Sequence, residues 1–419
     1  MKIERKIYRI IGLCLVILSP FTIHHSPLTA QNLTSSPYSR YAYGDLNENV
    51  PTAFRAMGGV GYGMRSNRAV NPSQPASYTA CDTLTFMMDI AASVTWSRYQ
   101  DYSGMRNKAN GNLEYLTFQI PLWKQWVAMS FGLIPYSSVG YSISMRDSTA
   151  GGTYHYTTAY EGVGNISEVY AGLSFNVCNY FAVGANFYYM WGNLQRMRSL
   201  QFDETGLQSS LQDELMLVNT PRVRLGAQFF HTWGDHTVNL GAVFEPKMKM
   251  NSDVLIVETQ SEDSIPVYEG LWELPMVWGV GASYNWANRL TVAFDFERQC
   301  MGSAMYNGYP GNDPLNGLQD RDRFALGLEY QHNPLGRKYV DRMRWRAGVS
   351  VQDEYLASIG AKRVTAGIGI GFPVYGLGTM VNTTIEYSHR GSKAGLEENN
   401  LRLTVGISVA ENWFFKRKL

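Results

Sequence analysis

Residues that could carry chemistry are few and far apart in this 419-residue chain. Beyond residue 30, histidines occur only at His155, His231, His236, His332 and His389. Acyl-transfer hydrolysis would need one of them beside a nucleophilic serine and an orienting acid. No Gly-x-Ser-x-Gly elbow presents such a serine. His231 and His236 flank one short turn and read as solvated, without further ligands at metal spacing. The glycine run Gly58, Gly59, Gly61 and Gly63 lacks the Gly-Lys-Ser/Thr of a phosphate loop. Cys81, Cys178 and Cys300, odd in number and widely spaced, suit packing rather than a disulfide framework. The expectation is a protein that is not an enzyme: no catalytic residue, no metal and no cofactor.

Charged side chains follow a stricter order. Arg342, Arg344 and Arg346 alternate with Met343, Trp345 and Ala347, and the alternation continues through Val349 and Val351. Asp295 and Glu297 alternate with Phe294 and Phe296 in the same manner. Arg222, Arg224, Lys247, Lys249, Arg323, Glu329, Glu386 and Arg402 fall in comparable settings. A period of two puts the charges on one face of a strand and the apolar residues on the other. Unpaired charges on an enclosed face are costly. The arginine row is therefore expected to pair with Glu329, Asp295, Glu297, or Asp45 and Glu48 upstream; a merely hydrated wall is the plainer alternative.

The elements that must position these charges are strands. Alternation and turn chemistry predict them near 84–98, 113–121, 125–145, 153–177, 180–193, 217–232, 236–251, 272–285, 289–300, 321–332, 341–353, 361–373, 378–390 and 397–410. That makes about fourteen, the even number expected of a bacterial membrane barrel. Short connections such as Trp233-Gly-Asp235 and Val374-Tyr-Gly-Leu377 interleave with longer ones near 99–112, 194–216, 252–271 and 301–320. Trp123, Trp126, Trp233, Trp286 and Trp413 sit near short turns, while Trp96 and Trp191 sit near long loops, as interface belts require. A soluble sandwich also alternates, but strand length, even count, loop asymmetry and belts together favour a membrane barrel.

Composition agrees. A formal net charge of +1 gives no field for nucleic acid, and no segment beyond residue 30 approaches the ~18 apolar residues of a membrane helix. Residues 1–30 read as a signal peptide: Lys2, Arg5, Lys6 and Arg9 precede an apolar run, and Leu28-Thr29-Ala30 ends it. Residues 31–83 lack periodicity and are dense in Gly, Pro, Asn and Ser. A barrel of this strand number has a lumen its own side chains do not fill. The segment is expected to lie there as a hatch, turning at Asn71, Pro72 and Pro75, with the barrel proper spanning 84–419.

The stretch 54–91, "FRAMGGVGYGMRSNRAVNPSQPASYTACDTLTFMMDIA", resembles the hatch and first strand of FadL-type outer-membrane transporters. Asn71-Pro72 matches their Asn-Pro step, with Ser73 where Ala is usual. Stretches 131–136, 170–187 and 274–297 carry further echoes, and "SPYSRYAYGDL" at 36–46 is similar to Bacteroidetes-type members. The resemblance implies an all-β, plugged barrel of about 14 strands in a Gram-negative outer membrane. It implies uptake of hydrophobic small molecules, fatty-acid-like or aromatic, with lateral exit at a kink in the third strand. Pro135 within 125–145, flanked by Gly132 and Gly140, supplies a physical basis for that kink; a bulge without any transport role is the plainer reading. The resemblance admits a second function, a non-transporting subunit of an envelope machine for barrel assembly or protein secretion. Expected partners are outer-membrane lipid, a hydrophobic ligand or envelope proteins, and no nucleic acid.

Overall fold

In the computed structural model, fourteen antiparallel strands close into one barrel. The structure describes residues 34–102, 104–149, 154–204, 206–258, 267–307, 317–334, 336–357, 360–374, 378–391 and 395–412. The signal-peptide reading of 1–30, Trp413 and most of the turn at 374–377 lie outside them. The strands are β1 Thr85–Asp101, β2 Gly104–Trp123, β3 Val127–Ser148, β4 His155–Cys178, β5 Phe181–Phe202, β6 Ser210–Trp233 and β7 His236–Glu245. They continue as β8 Met276–Trp286, β9 Leu290–Cys300, β10 Arg321–Gln331, β11 Arg344–Asp353, β12 Lys362–Pro373, β13 Met380–Gly391 and β14 Glu397–Asn412. Sequence neighbours pair, and β14 pairs with β1 from Glu397 opposite Gln100 to Asn412 opposite Thr85. That last seam removes the free edges an open sheet would expose.

Alternation sets which side chain faces lipid. On β11, Trp345, Val349 and Val351 are exposed outward, while Arg346, Ser350 and Gln352 are buried inward. No described helix is long and apolar enough to cross a membrane; the strands do the crossing. Around the short-turn rim, His231, Trp233, His236 and Tyr284 stack in series with Tyr180 tilted against His231, and centroid spacings run from 5.0 to 6.2 Å. This places the two histidines in an aromatic belt.

Several sequence expectations are corrected. The stretches 99–112 and 194–216 are not long loops, because β1, β2, β5 and β6 run through most of them. Their polar composition hid the strands, yet cross-strand pairs hold them, as where Arg196 meets Glu214 at 2.7 Å. Part of 252–271 is also strand: Ser252–Glu258 pairs with the upper part of β6 and with Val267–Glu269. Pro246 follows the end of β7, so Lys247 and Lys249 lie beyond its face; Lys247 pairs with Glu273 at 2.9 Å. Arg342 ends a single 3-10 turn before β11, where its guanidinium lies over the Tyr339 ring.

Candidate functional site

The lumen is filled by the segment that precedes β1. Residues 50–64 and 69–79 are buried without interruption. Their backbone polar groups need partners once water is excluded, and the wall supplies them. Asp295 accepts from the N–H groups of Gly61 (2.5 Å) and Tyr62 (2.8 Å), and Glu297 accepts from the Tyr62 hydroxyl. Arg323 donates to the carbonyls of Gly58 (2.8 Å) and Gly59 (3.0 Å). Asn71 donates to Gly61 O at 2.8 Å, and Pro72 O accepts from Asn186 and Tyr188 at 3.0 and 3.1 Å. Pro75 opens the 3-10 helix Pro75–Ala80, whose Tyr78 bonds Asn186 at 3.0 Å.

Glycines on both sides permit this contact. Gly58 and Gly59 hold φ of +72° and +77°, a region other residues rarely adopt. On the wall, a Cβ at Gly348 would strike the Met57–Gly58 backbone, and one at Gly241 would strike the Tyr62 carbonyl. In the long-loop half of the lumen, Tyr43 packs on Trp272 and Tyr355, with ring centroids 5.6 and 6.2 Å apart.

Charge ties the segment to the wall a second time. Arg55 pairs with Glu114 (3.0 Å) and Glu386 (3.7 Å), Glu48 with Arg323 (3.3 Å), and Asp45 with Arg363 (2.7 Å) and Arg390 (2.8 Å). Burial opposes the charge on Glu48, but Arg323 and then Arg55 outweigh it and hold the carboxyl below its usual range. Within the wall, Arg222 pairs with Glu168 (2.8 Å) and Glu245, which also takes Arg224; Glu329 takes Arg344 (2.8 Å) and Arg346 (2.6 Å). Arg402 donates to Thr95 at 3.2 Å. Glu114, Glu168 and Glu245 were missed by sequence reasoning; the inward register of Glu168 and Glu245 was readable from neighbouring alternation, whereas Glu114 sits at a register shift that turns it inward together with Tyr115.

One seam of the wall parts. β2 and β3 pair only from the turn, Trp123 opposite Val127, up to Leu116 opposite Leu133. Gly132 belongs to that last paired stretch, opposite Thr117. Pro135 follows, at a register shift where β4 skips Tyr136. Ser137, Ser138, Val139, Gly140 and Tyr141 are then all buried, so both faces of β3 are covered. The edge of β3 that β2 leaves unpaired is taken by the luminal segment, while β4 keeps the other edge: the two-residue strand Asp45–Leu46 pairs with Ser138 and Ser137. Asn47 N–H donates to Tyr136 O at 2.9 Å, and Ser39 Oγ accepts from Gly140 N–H at 3.0 Å. Among the described residues, spaces between segment and wall include two small ones of about 90 and 50 Å³ and a cavity of about 830 Å³ at the short-turn mouth.

The match to known proteins can be set against this geometry. The model of the BamG family matches residues 10–419. The chain belongs to the BamG family. No curated protein matches it. Among solved structures it is similar to a Pseudomonas aeruginosa FadL homologue, at 13% identity and TM-score 0.58, over 88% of this chain and 100% of that one. The Ralstonia pickettii toluene transporter TbuX gives 14% identity and TM-score 0.58, covering 86% of this chain and 98% of its own. The Pseudomonas putida toluene transporter TodX gives 15% and 0.56, over 88% and 99%. At these identities the likeness is one of fold: this BamG-family chain is a plugged fourteen-strand barrel folded like the FadL homologue and the toluene transporters.

Proposed function

We propose that this BamG-family barrel is a non-transporting structural subunit of a multiprotein machine, for barrel assembly or protein secretion, in a Gram-negative outer membrane of Bacteroidetes type. The observation that carries the reading is the way the luminal segment is built in. It is cross-tied by ion pairs at Asp45, Glu48 and Arg55 and serves as the missing neighbour of β3. Breaking one buried pair costs about 3–5 kcal/mol, and withdrawing the plug would break several together. A lumen so committed suits a scaffold better than a conduit. Its alternating outer face and aromatic rims hold it in lipid and leave the projecting strands for protein contacts.

Uptake of hydrophobic compounds with exit near Gly132, Pro135 and Gly140 is the second reading, favoured by the parting of β2 from β3 and by the fold shared with toluene transporters. Affinity purification from native membranes in mild detergent separates the two. Stoichiometric protein partners are expected. A barrel isolated alone, with uptake of a labelled aromatic compound in liposomes, would overturn the scaffold reading.

A further inference from the structure

The cavity at the short-turn mouth has a charge imbalance that the plug does not explain. Its lining carries Arg65, Arg68, Arg289, Arg344 and Arg346 against one carboxylate, Glu329. Glu329 is shared by Arg344 and Arg346, whereas Arg65, Arg68 and Arg289 make no ion pair among the described residues. Asp82, bonded to Asn67 at 3.1 Å, adds one negative charge at the edge and leaves the balance positive. Arg65 is spent on neutral groups: Ala76 O and Gln228 at 3.1 Å, Thr79 at 3.2 Å, and the Phe230 ring at 3.8 Å. Burial pushes its guanidinium down to about 10, and burial with Arg344 nearby lowers Arg68 as well. Arg344 Nε, shielded from water, has no hydrogen-bond partner. Crowded cations that outnumber their anions are an unfavourable arrangement that a bound anion relieves.

We propose that this vestibule receives an acidic, extended segment of a partner protein from the short-turn side of the membrane. The inference rests on the scaffold reading and deepens it by giving the partner a chemistry. A peptide fits better than a small anion because the cations are spread around about 830 Å³ rather than converging on one point. Between them stand amides, including Gln125 and Asn288, that can bond a peptide backbone, and apolar Phe54 and Met380. Carboxylates of the segment would lie on Arg68 and Arg289.

The test uses the mature chain in detergent and a fluorescein-labelled hexaglutamate peptide, read by fluorescence anisotropy. Saturable binding that weakens with added salt is expected. The double variant R68Q/R289Q should lose about tenfold or more in affinity. K124Q, at the same rim but outside the cavity, should keep it, and unchanged heat-modifiability on gels shows that each barrel is folded. No saturable binding, an equal loss in K124Q, or displacement by inorganic phosphate at comparable concentration would overturn the proposal. Stoichiometric partners in native membranes together with absent hexaglutamate binding would sink this inference alone. Absent partners would sink the scaffold reading beneath it too.

Discussion

Two seams of the same wall solve the same problem differently. Between β14 and β1, main-chain pairing runs from Asn412 to Glu397 without a register shift. Between β2 and β3 it stops at Leu116 and Leu133, and the luminal strand Asp45–Leu46 covers the exposed edge of β3. β2 from Gly104 to Tyr115 keeps β1 on one side and no strand on the other among the described residues. The first seam needs no help from the lumen. The second makes the lumen's contents part of the wall, so a segment that looks like cargo is structural.

If the parted seam depends on the strap at residues 45–47, removing its anchor should tell on it first. Asp45→Ala deletes the carboxylate held by Arg363 and Arg390. The carboxylate is partly exposed, so the expected loss is about 3 kcal/mol, the low end for a buried pair. The midpoint of heat-modified gel migration or urea unfolding measures it. A loss no greater than that of Arg402→Ala, on the closed seam, would erase the contrast.

Hydrogen exchange compares the seams directly. Outward-edge amides of β2 between Met105 and Leu113 should exchange about a hundredfold faster than β1 amides opposite β14. Equal protection would mean the seam closes in the membrane. Next in size, Gly348→Ala should cost about 1–3 kcal/mol by forcing Met57 off the wall, whereas Gly111→Ala should stay near zero.

A disulfide between cysteines placed at the paired positions Leu46 and Ser137, with the native cysteines changed to serine, should form readily and leave partner co-purification unchanged. Loss of partners on locking would show that the strap must move. The smallest effect is expected at Arg146→Ala: its pair with Asp203 is largely exposed and should contribute below about 1 kcal/mol.

Much of the barrel was legible because lipid on one side and a polar interior on the other write a two-residue period into long stretches of the strands. Trp345 beside Arg346 is enough to orient β11. The same signal failed at 99–112 and 194–216, where the strands leave the bilayer and neither face needs to be apolar. The lumen was less legible. Asp295, Glu297 and Glu329 could be put on the inward face, but that Asp295 holds Gly61 and Tyr62 depends on how the plug folds. The strap at Asp45–Leu46 left no local mark: two residues are too few for a period. The basic mouth gathers Arg65 and Arg68 from the plug with Arg289 from the β8–β9 turn and Arg344 and Arg346 from β11, and only closure brings them together.

The glycine-lined wall has a consequence for assembly. Gly241 and Gly348 leave room on the wall for the Tyr62 and Met57 backbone, and the strand that completes the circle, β14, comes after the plug and the other thirteen strands in chain order. Closing the circle on this order is an act of wrapping: residues 50–64 and 69–79, buried inside, precede in the chain every strand that surrounds them, and the pairing of β14 with β1 encloses them.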